Sequence, residues 1–350
     1  MIFSKKLITW YLQNKRSMPW RETTDPYRIW LSEIILQQTR VAQGLPYYLS
    51  FIDQYPTVFD LANAKEEEVL KLWQGLGYYS RARNLHATAK YIANELNGIF
   101  PSTYKDLLQL KGVGDYTASA IASICYNEVV PVVDGNVYRV LSRYFNVDTP
   151  INSTQGIKEF KKLAWEMIDP EQPATFNQAI MEFGALQCKP QNPYCIVCPL
   201  NDSCEALKKG TVASLPVKLK KLKVKKRYFN YLIFSVNDQK TVLNQRTGKG
   251  IWQNLYEFPL IESENEVDLP YIENHEIFKR LLNHVNYELT LHEEDFKIHK
   301  LSHQHLYTRF YIVKTEEIPT INIESNFVEI EKIRDYPVPI LLGNFIESFF

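Results

Sequence analysis

The chain has 350 residues, and its 45% hydrophobic and 23% charged content excludes a disordered or collagen-like protein. Its length exceeds the roughly 250–300 residues that one hydrophobic core supports, which predicts two domains. Forty basic residues balance forty acidic ones, but residues 1–227 carry 29 Lys or Arg against 21 Asp or Glu, and residues 228–350 carry 11 against 19. The zero net charge is a cancellation, so it does not exclude nucleic acid as a partner.

The N-terminal segment favours an amphipathic helix over a signal peptide, because Lys5, Lys6, Lys15 and Arg16 interrupt its apolar residues. No apolar run approaches the roughly 18–20 residues that span a bilayer, so we expect no membrane association. Five cysteines, four of them close together, are too few for a disulfide scaffold. We therefore expect a reducing, cytoplasmic environment.

Three regions follow one another along the chain. Residues 1–207 show the 3.6-residue apolar period of helices. Residues 208–227 contain nine basic residues and no acidic one, which predicts a linker. Residues 228–350 contain short alternating segments rich in β-branched and aromatic residues, which predict an α+β domain with an antiparallel or mixed sheet.

Glu33 stands in a helical segment, IWLSEIILQQTR, among the apolar residues Trp30, Ile34 and Leu36. Apolar surroundings disfavour the charged form of a carboxyl group and keep it protonated near neutral pH. The alternative is an ordinary solvated helix residue.

A Gly-x-Gly turn, Gly112 and Gly114, lies between two predicted helices within residues 108–120. It lacks the third glycine of a dinucleotide fingerprint, but a tight turn that opens a helix can hold a phosphate with backbone N–H groups. The alternative is a plain helix–helix turn with a glycine C-cap. About twenty residues later, Asp134 begins the next predicted helix, where an N-cap is its alternative role.

Four cysteines in the spacing C-x6-C-x2-C-x5-C can close around one metal centre, either zinc or an iron–sulfur cluster. The alternative is four unrelated buried cysteines. Cys125 lies in an apolar stretch and is interpreted as an inert core thiol. The four candidate ligands are Cys188, Cys195, Cys198 and Cys204.

The turn, the VDGNVYR segment and the cysteine spacing together resemble the helix–hairpin–helix glycosylase superfamily over roughly residues 20–205. The cysteine spacing resembles the 4Fe–4S loop of the endonuclease III family, which implies a 4Fe–4S cluster in residues 188–204. In the superfamily, the aspartate at the position of Asp134 is catalytic.

Two further positions favour one branch of the superfamily. Bifunctional members use a lysine just after the hairpin glycines to form a Schiff base; Tyr116 stands here, and Lys111 lies on the other side of the turn. The SE…LQQT run, MPWR at residues 18–21 and GLGYYSRARNLH at residues 75–86 resemble adenine DNA glycosylases of the MutY type. That family implies an all-α helix–hairpin–helix domain with an iron–sulfur loop, followed by an α+β MutT/Nudix-like domain.

The resemblance implies a monofunctional base-excision-repair enzyme that hydrolyses the N-glycosidic bond of adenine opposite 8-oxoguanine or guanine in double-stranded DNA and leaves an abasic site. Glu33 would be the general acid, and ionised Asp134 would stabilise the oxocarbenium ion or capture it covalently. Asn136 and Tyr116 would position the reacting groups. The base and phosphate contacts it implies are Trp20, Arg21, Gln37, Gln38, Thr39, Tyr78, Gly112, Gly114 and Gln178.

The C-terminal domain is predicted to recognise DNA without hydrolysing nucleotides, because no glycine occurs between Gly250 and Gly343 and no REXXEE run is present. In the family, a Phe-Ser-His loop contacts 8-oxoguanine. Here Leu301 replaces the Phe, whereas Ser302 and His303 are retained. The alternative is a set of histidines on an exposed strand or at a chance metal site.

Two other functions compete with this prediction. One is an endonuclease III-type glycosylase and abasic-site lyase that acts on oxidised pyrimidines, and Tyr116 and the added domain argue against it. The other is a non-catalytic iron–sulfur protein that binds DNA, and the pair Glu33 and Asp134 argues against it. We expect a monomer in the bacterial cytoplasm, acting on the nucleoid.

Overall fold

The computed structural model describes residues 2–219, 224–283, 285–317, 319 and 325–350. The chain forms two compact units that are not consecutive in sequence. The helical unit comprises Met1–Asn63 and Asn84–Lys220, and the sheet unit comprises Ala64–Arg83 and Lys221–Phe350.

The helices follow the apolar periodicity of the sequence. They are α1 (Ile2–Asn14), α2 (Pro26–Leu36), α3 (Val41–Gln54), α4 (Val58–Asn63), α5 (Glu66–Leu72), α6 (Ser80–Glu95), α7 (Tyr104–Leu107), α8 (Asp115–Tyr126), α9 (Gly135–Phe145), α10 (Thr154–Met167), α11 (Pro173–Leu186), α12 (Glu205–Lys208), α13 (Leu269–Asn274), α14 (Glu276–Leu281) and α15 (Ile340–Phe349). Among the described residues, no helix combines the length and the hydropathy that a bilayer-spanning segment needs.

Local caps fix where the site-bearing helices begin. Asp25 caps α2: its carboxylate accepts from the backbone N–H of Tyr27 at 3.0 Å, and Pro26 occupies the first helical position. Asp134 caps α9 in the same way. The helices then bury a core that α1, α9, α10 and α11 share, with Phe160, Phe176 and Phe183 at its centre. Asp134 therefore stands at the start of a helix that this core holds, and Glu33 stands on α2, whose residues Ile29, Trp30 and Leu31 are fully buried.

The sheet unit contains one mixed sheet. Its strands are β1 (Lys225–Val236), β2 (Lys240–Gln245), β3 (Tyr256–Glu257), β4 (Leu260–Ser263), β5 (Glu288–Leu291), β6 (Lys297–Lys300), β7 (Gln304–Thr315) and β8 (Ser325–Glu329). The main order is β3-β2-β1-β7-β5; β4 pairs with β1, β6 with β7 and β8 with β2. Only the β1–β7 pair is parallel among the pairs in the described part of the chain, with Lys225 opposite Gln304 and Val236 opposite Thr315.

The fold class predicted from the sequence, a helical domain followed by an α+β domain, is confirmed by this architecture. The predicted linker, residues 208–227, differs from the structure at both ends. Its first half packs on the helical unit, since Leu215 is buried and the carbonyl of Val217 accepts from the N–H of Ile151. Its last three residues begin β1, because they pair with Gln304, His305 and Leu306 of β7; residues 220–223 lie outside the described residues.

A second difference concerns Ala64–Arg83, which the sequence pattern places in the helical domain. This segment belongs to the sheet unit. Its partners are side chains and carbonyls that lie at least 170 residues away in sequence, which helical periodicity cannot reveal.

Candidate active site and recognition surface

One pocket of the helical unit brings together most of the residues predicted to act on the base. Of the predicted site residues, its lining includes Trp20, Arg21, Glu33, Thr39, Tyr116, Asp134, Asn136 and Gln178. These residues come from α2, α8, α9, α11 and the short 3₁₀ helix Pro19–Arg21, except that Thr39 lies in the turn after α2 and Asp134 is the N-cap of α9. Segments separated by more than 150 residues in sequence therefore form one cavity.

Glu33 projects from α2 and is only 9% exposed. Burial raises the pKa of Glu33 to about 7, a hydrogen bond from the Tyr116 hydroxyl opposes the increase, and the nearby charge of Asp134 adds to it. The Tyr116 hydroxyl also contacts the Met181 sulfur at 3.3 Å. A carboxyl group with a pKa near 7 can both donate and accept a proton at physiological pH.

Asp134 is held by three hydrogen bonds from its own helix. One carboxylate oxygen accepts from the backbone N–H groups of Asn136 and Val137 at 2.9 and 2.8 Å, and the other accepts from the Asn136 side-chain amide at 2.8 Å. Burial raises the pKa of Asp134, while these hydrogen bonds and the charge of Arg139 lower it. The pKa of Asp134 is raised overall, because burial outweighs these opposing causes. All three donors nevertheless favour the anion over the protonated form.

Arg139, which the sequence motifs did not single out, links this pocket to the cysteine loop. Its guanidinium donates to the Asn136 side-chain oxygen at 2.8 Å, to the Gly184 carbonyl at 2.6 Å and to the Cys188 carbonyl at 2.7 Å. The Asn136 amide is thereby oriented with its nitrogen toward Asp134. The sequence did contain a signal for Arg139. It follows Gly135 by four residues on the helix that Asp134 caps, and residues four apart on a helix share a face.

Glu182 is a second functional residue that sequence reasoning missed, and its side chain is only 1% exposed. Its carboxylate accepts from Arg16 at 2.6 Å and from Arg21 at 2.8 Å, and all three residues line the pocket. Burial alone would raise the pKa of Glu182, but the hydrogen bonds from Arg16 and Arg21 lower it to about 2. The sequence could have indicated Glu182, because it follows the predicted residue Gln178 by four positions on α11 and therefore lies on the same face.

The other predicted base contacts occupy different positions around this pocket. Gln38 is exposed in a left-handed turn, with φ of 56°, directly after α2. Gln37 donates to the Thr117 hydroxyl at 3.3 Å, and Gln178 accepts from the Tyr11 hydroxyl at 3.3 Å. Neither Gln37 nor Gln38 lines the pocket, whereas Thr39 does.

The predicted hairpin is an exposed turn between α7 and α8. Gly112 has φ of +81°, and a side chain there would meet the Asn84 Cβ at 2.8 Å, so both conformation and space require glycine. Gly114 is the N-cap of α8, and a Cβ there would meet no described atom within 4 Å. The carboxylate of Asp115, the first residue of α8, forms a salt bridge with the Lys161 ammonium at 3.0 Å and accepts a hydrogen bond from the Tyr104 hydroxyl.

The four predicted metal ligands line one cavity beside α9 and α11. Arg143 donates to the Cys188 sulfur at 3.5 Å and to the carbonyls of Lys189 and Pro190 at 2.7 and 3.0 Å. In the described parts of the chain, no three His, Cys, Asp or Glu side chains form a group that could hold a metal ion. The four cysteines nevertheless line the same cavity, and a donor set of four thiols without nitrogen or carboxylate is the kind that an iron–sulfur cluster or zinc takes.

In the sheet unit, the predicted reading loop is the turn between β6 and β7. Ser302 and His303 are exposed there, and the turn is closed by a hydrogen bond from the Leu301 N–H to the Gln304 carbonyl at 2.8 Å. The Tyr78 and Ser302 hydroxyls lie 2.5 Å apart. Both residues line one cavity, whose wall also includes Trp252 and Lys300. Two residues predicted separately from distant motifs are therefore neighbours.

Comparison with known families matches both parts of the chain. Residues 31–170 match the HhH-GPD superfamily of base excision DNA repair proteins, and residues 230–348 match the NUDIX domain. Among solved structures, a thermostable thymine-DNA glycosylase is 30% identical, with a TM-score of 0.55 over 59% of this chain and 96% of that one. A non-covalent endonuclease III–DNA complex, 22% identical with a TM-score of 0.51 over 59% of this chain and 94% of that one, shares the fold.

Whole-chain relatives are more specific. Adenine DNA glycosylase of Buchnera aphidicola subsp. Baizongia pistaciae is 36% identical over 88% of this chain and 84% of its own length. Human adenine DNA glycosylase is 45% identical over 58% of this chain and 39% of its own length. With both domains matched and the bacterial relative covered almost throughout, the chain belongs to the adenine DNA glycosylase family of base-excision-repair enzymes.

Proposed function

We propose that the enzyme removes adenine opposite 8-oxoguanine or guanine in double-stranded DNA by hydrolysis alone and leaves an abasic site. The observation that carries this proposal is the pair of carboxyl groups that line one pocket: buried Glu33, with a pKa of about 7, and half-buried Asp134, whose carboxylate accepts three hydrogen bonds that favour its anion. N-glycosidic bond cleavage needs a protonated leaving base and a stabilised cationic sugar. Two carboxyl groups in opposite protonation states supply both.

In this mechanism Glu33 protonates the adenine ring at N7, and the bond between N9 and C1′ breaks with its electron pair moving to the base. Asp134 stabilises the positive charge on the sugar, either across space or by bonding to C1′. Glu33, now ionised, accepts a proton from the water that attacks C1′. Tyr116 and Asn136 are proposed as positioning residues, since each is hydrogen-bonded to one of the two carboxyl groups.

The chemistry of the pocket wall supports a hydrolytic rather than a lyase reaction. Among the described residues that line the pocket, none is a lysine. Tyr116, a phenol, occupies the position after the hairpin glycines, and Lys111 lies outside the lining. A phenol cannot form the imine on which the lyase reaction depends.

DNA binding is proposed through three features. The exposed hairpin at Gly112 and Gly114 would hold a phosphate. The adenine must leave the duplex to reach Glu33, and Gln37, Gln38 and Thr39 would brace the vacated space, with Trp20, Arg21 and Gln178 around the base. Tyr78, Ser302 and His303 would contact the opposite strand at 8-oxoguanine. The match to a superfamily of base excision DNA repair proteins supports this assignment.

A 4Fe–4S cluster is proposed for Cys188, Cys195, Cys198 and Cys204, which line one cavity. When bound, such a cluster would tie residues 188–204 together, and Arg143 of α9 would contact this loop through the Cys188 sulfur and the carbonyls of Lys189 and Pro190. If the four thiolates hold an iron–sulfur cluster, the purified protein should absorb at about 410 nm. Bound zinc would instead give a colourless protein.

One assay tests the reaction. Duplexes with a single adenine opposite 8-oxoguanine, guanine or thymine are incubated with enzyme, and the strands are resolved with and without alkali. We expect breaks after alkali only, fastest opposite 8-oxoguanine, and none opposite thymine. The Glu33→Gln variant should be inactive, and Glu95→Gln, at an exposed helical glutamate, should match the parent. Breaks without alkali that borohydride traps would instead identify a lyase.

A further inference from the structure

The segment Ala64–Arg83 lies inside the part of the chain that matches the glycosylase superfamily, yet it is part of the sheet unit. It consists of α5, the glycine turn that carries Tyr78, and the start of α6. Its membership in the sheet unit rests on specific polar contacts distributed over its length.

Three of these contacts hold α5. The Tyr256 hydroxyl donates to the Glu67 carboxylate at 2.6 Å, and the Asn254 side-chain amide donates to Glu66. On the C-terminal half of the helix, the Lys71 ammonium donates to the backbone carbonyls of Arg334 and Tyr336. Both halves of a short helix are thus fixed to β3 and its neighbouring loops.

Three more contacts hold the chain on either side of Tyr78. The Gln74 side-chain oxygen accepts from the Val338 N–H at 3.3 Å, and the Tyr79 hydroxyl donates to the Val338 carbonyl at 3.4 Å. The Arg83 guanidinium donates to the Gln253 carbonyl at 2.8 Å. The segment is therefore fixed before and after the turn, and Tyr78 stands between the fixed points.

The turn itself has a conformation that leaves Tyr78 little freedom. Gly75 and Gly77 have φ of 102° and 71°, which glycine adopts freely. Tyr78 has φ of 46°, which a tyrosine keeps only when its surroundings determine it. The Arg81 guanidinium lies 5.0 Å from the Trp73 ring and 5.7 Å from the Tyr78 ring and donates to the Gly77 carbonyl at 3.3 Å. The Tyr78 ring nevertheless stays 52% exposed, which leaves a face available for a partner.

We propose that Ala64–Arg83 is a positioning element for reading the strand opposite the adenine, and that the contacts of Tyr256 with Glu67 and of Lys71 with the carbonyls of Arg334 and Tyr336 set where Tyr78 stands relative to Ser302. This inference rests on the proposed function, which assigns Tyr78 and Ser302 to 8-oxoguanine. Tyr256, Glu67 and Lys71 do not line the cavity that contains Tyr78 and Ser302. They act through Tyr78 and are positioning residues.

In this proposal, the residues that recognise the opposite base and the residues that cleave the glycosidic bond belong to different units. Discrimination between 8-oxoguanine and guanine is a difference between two binding free energies, so it depends on where the reading groups stand. The pocket of Glu33 and Asp134 is built entirely from the helical unit. Loosening the positioning element should therefore reduce the preference for 8-oxoguanine and leave adenine excision opposite guanine nearly unchanged.

The test uses the full chain with Tyr256→Phe combined with Lys71→Met, which removes two donors and keeps most of the side-chain volume. We expect the ratio of single-turnover rates, adenine opposite 8-oxoguanine over adenine opposite guanine, to fall by about fivefold or more. The single variant Lys71→Arg, with Tyr256 unchanged, keeps donors for the same two carbonyls. Its ratio of rates should equal that of the parent. Tyr271→Phe, at an exposed tyrosine of the same unit, is the matched control.

A second measurement does not depend on activity. Amide hydrogen exchange in residues 71–80 of the DNA-free protein should be faster in the double variant than in the parent and in Tyr271→Phe. An unchanged rate ratio with unchanged exchange would overturn the proposal, and so would an equal loss of rate on both duplexes. If the parent shows no preference for 8-oxoguanine, the proposed specificity fails, and the exchange measurement alone decides whether these contacts fix the segment.

Discussion

Two regions of the molecule differ in how far they expose their polar side chains: the pocket around Glu33 and Asp134, and the surface around Tyr78 and Ser302. The pocket buries Glu33, half-buries Asp134 and raises the pKa of both carboxyl groups, that of Glu33 to about 7. The surface keeps Ser302 exposed and Tyr78 half exposed, with hydroxyls in contact. In the proposed function, catalysis depends on burial that shifts the pKa of a carboxyl group, and recognition depends on the placement of exposed polar groups. Variants in the two regions should therefore fail in different measurable quantities.

The largest effect is expected for Asp134→Asn, which removes the charge that would stabilise the cationic sugar. Asparagine still caps a helix, so the fold should persist while the single-turnover rate falls by at least about a thousandfold. Asp148→Asn, at an exposed aspartate of the same unit, is the control. Retention of more than a tenth of the parent rate would show that the anion is dispensable.

The pH dependence of the parent enzyme should follow Glu33. Because the protonated form is required and its pKa is raised to about 7, the rate should fall about tenfold per pH unit above that value. Below it the rate should stay level until Asp134, whose pKa burial raises, takes up a proton. Single-turnover rates between about pH 5 and 9 test this profile. A profile without an alkaline decline would assign the acid to another group.

Arg139→Met should affect both the pocket and the cysteine loop. The substitution leaves the carbonyls of Gly184 and Cys188 without their donor and frees the Asn136 amide to turn. We expect a loss of about 3 kcal/mol in the free energy of unfolding together with a lower excision rate. Urea denaturation compared with Arg40→Met, at an exposed arginine, measures the first effect. Equal stabilities of the two variants would remove the link between the two sites.

The smallest effect is expected for Leu301→Phe, which gives the reading turn the aromatic residue typical of the family. Leu301 lines the cavity with Tyr78, and an added ring should slow dissociation from a duplex containing 8-oxoguanine by about threefold. Ile298→Phe, on the same hairpin but outside the cavity, should leave dissociation unchanged. Faster dissociation would indicate that leucine is matched to this particular cavity.

The difference between the two regions also explains what the sequence could predict. Short motifs carry local information: Asp134 stands at the start of its helix, as predicted, and also takes the N-cap role that was the alternative to catalysis. The low polarity around Glu33 anticipates its burial. Glu182 and Arg139 have the same kind of signal, a spacing of four on a helix, but a buried ion pair depends on partners such as Arg16 and Arg21 that come from another segment. Those partners are set by packing, which no single motif encodes.

The neighbourhood of Tyr78 and Ser302 illustrates the same limit at longer range. The two residues are 224 positions apart, and each was predicted from its own motif. They are neighbours because Ala64–Arg83 packs in the sheet unit. The side chains that hold this segment there, such as Glu67, have the sequence pattern of ordinary solvated helix residues. A charged residue in a run of three glutamates carries no sign of its partner.

The discontinuous sheet unit has a consequence for synthesis of the chain. The partners of Glu67, Lys71 and Gln74 follow them by 189 to 265 residues, so at roughly 5–20 residues per second they emerge about ten seconds to a minute later. During that interval the helical unit can assemble, but the segment that carries Tyr78 cannot yet adopt its final surroundings. Under the proposed function, recognition of the opposite base is thus the last property of the enzyme to be completed. A ribosome that stops before residue 338 would release a chain with the pocket of Glu33 and Asp134 but without fixed surroundings for Ala64–Arg83.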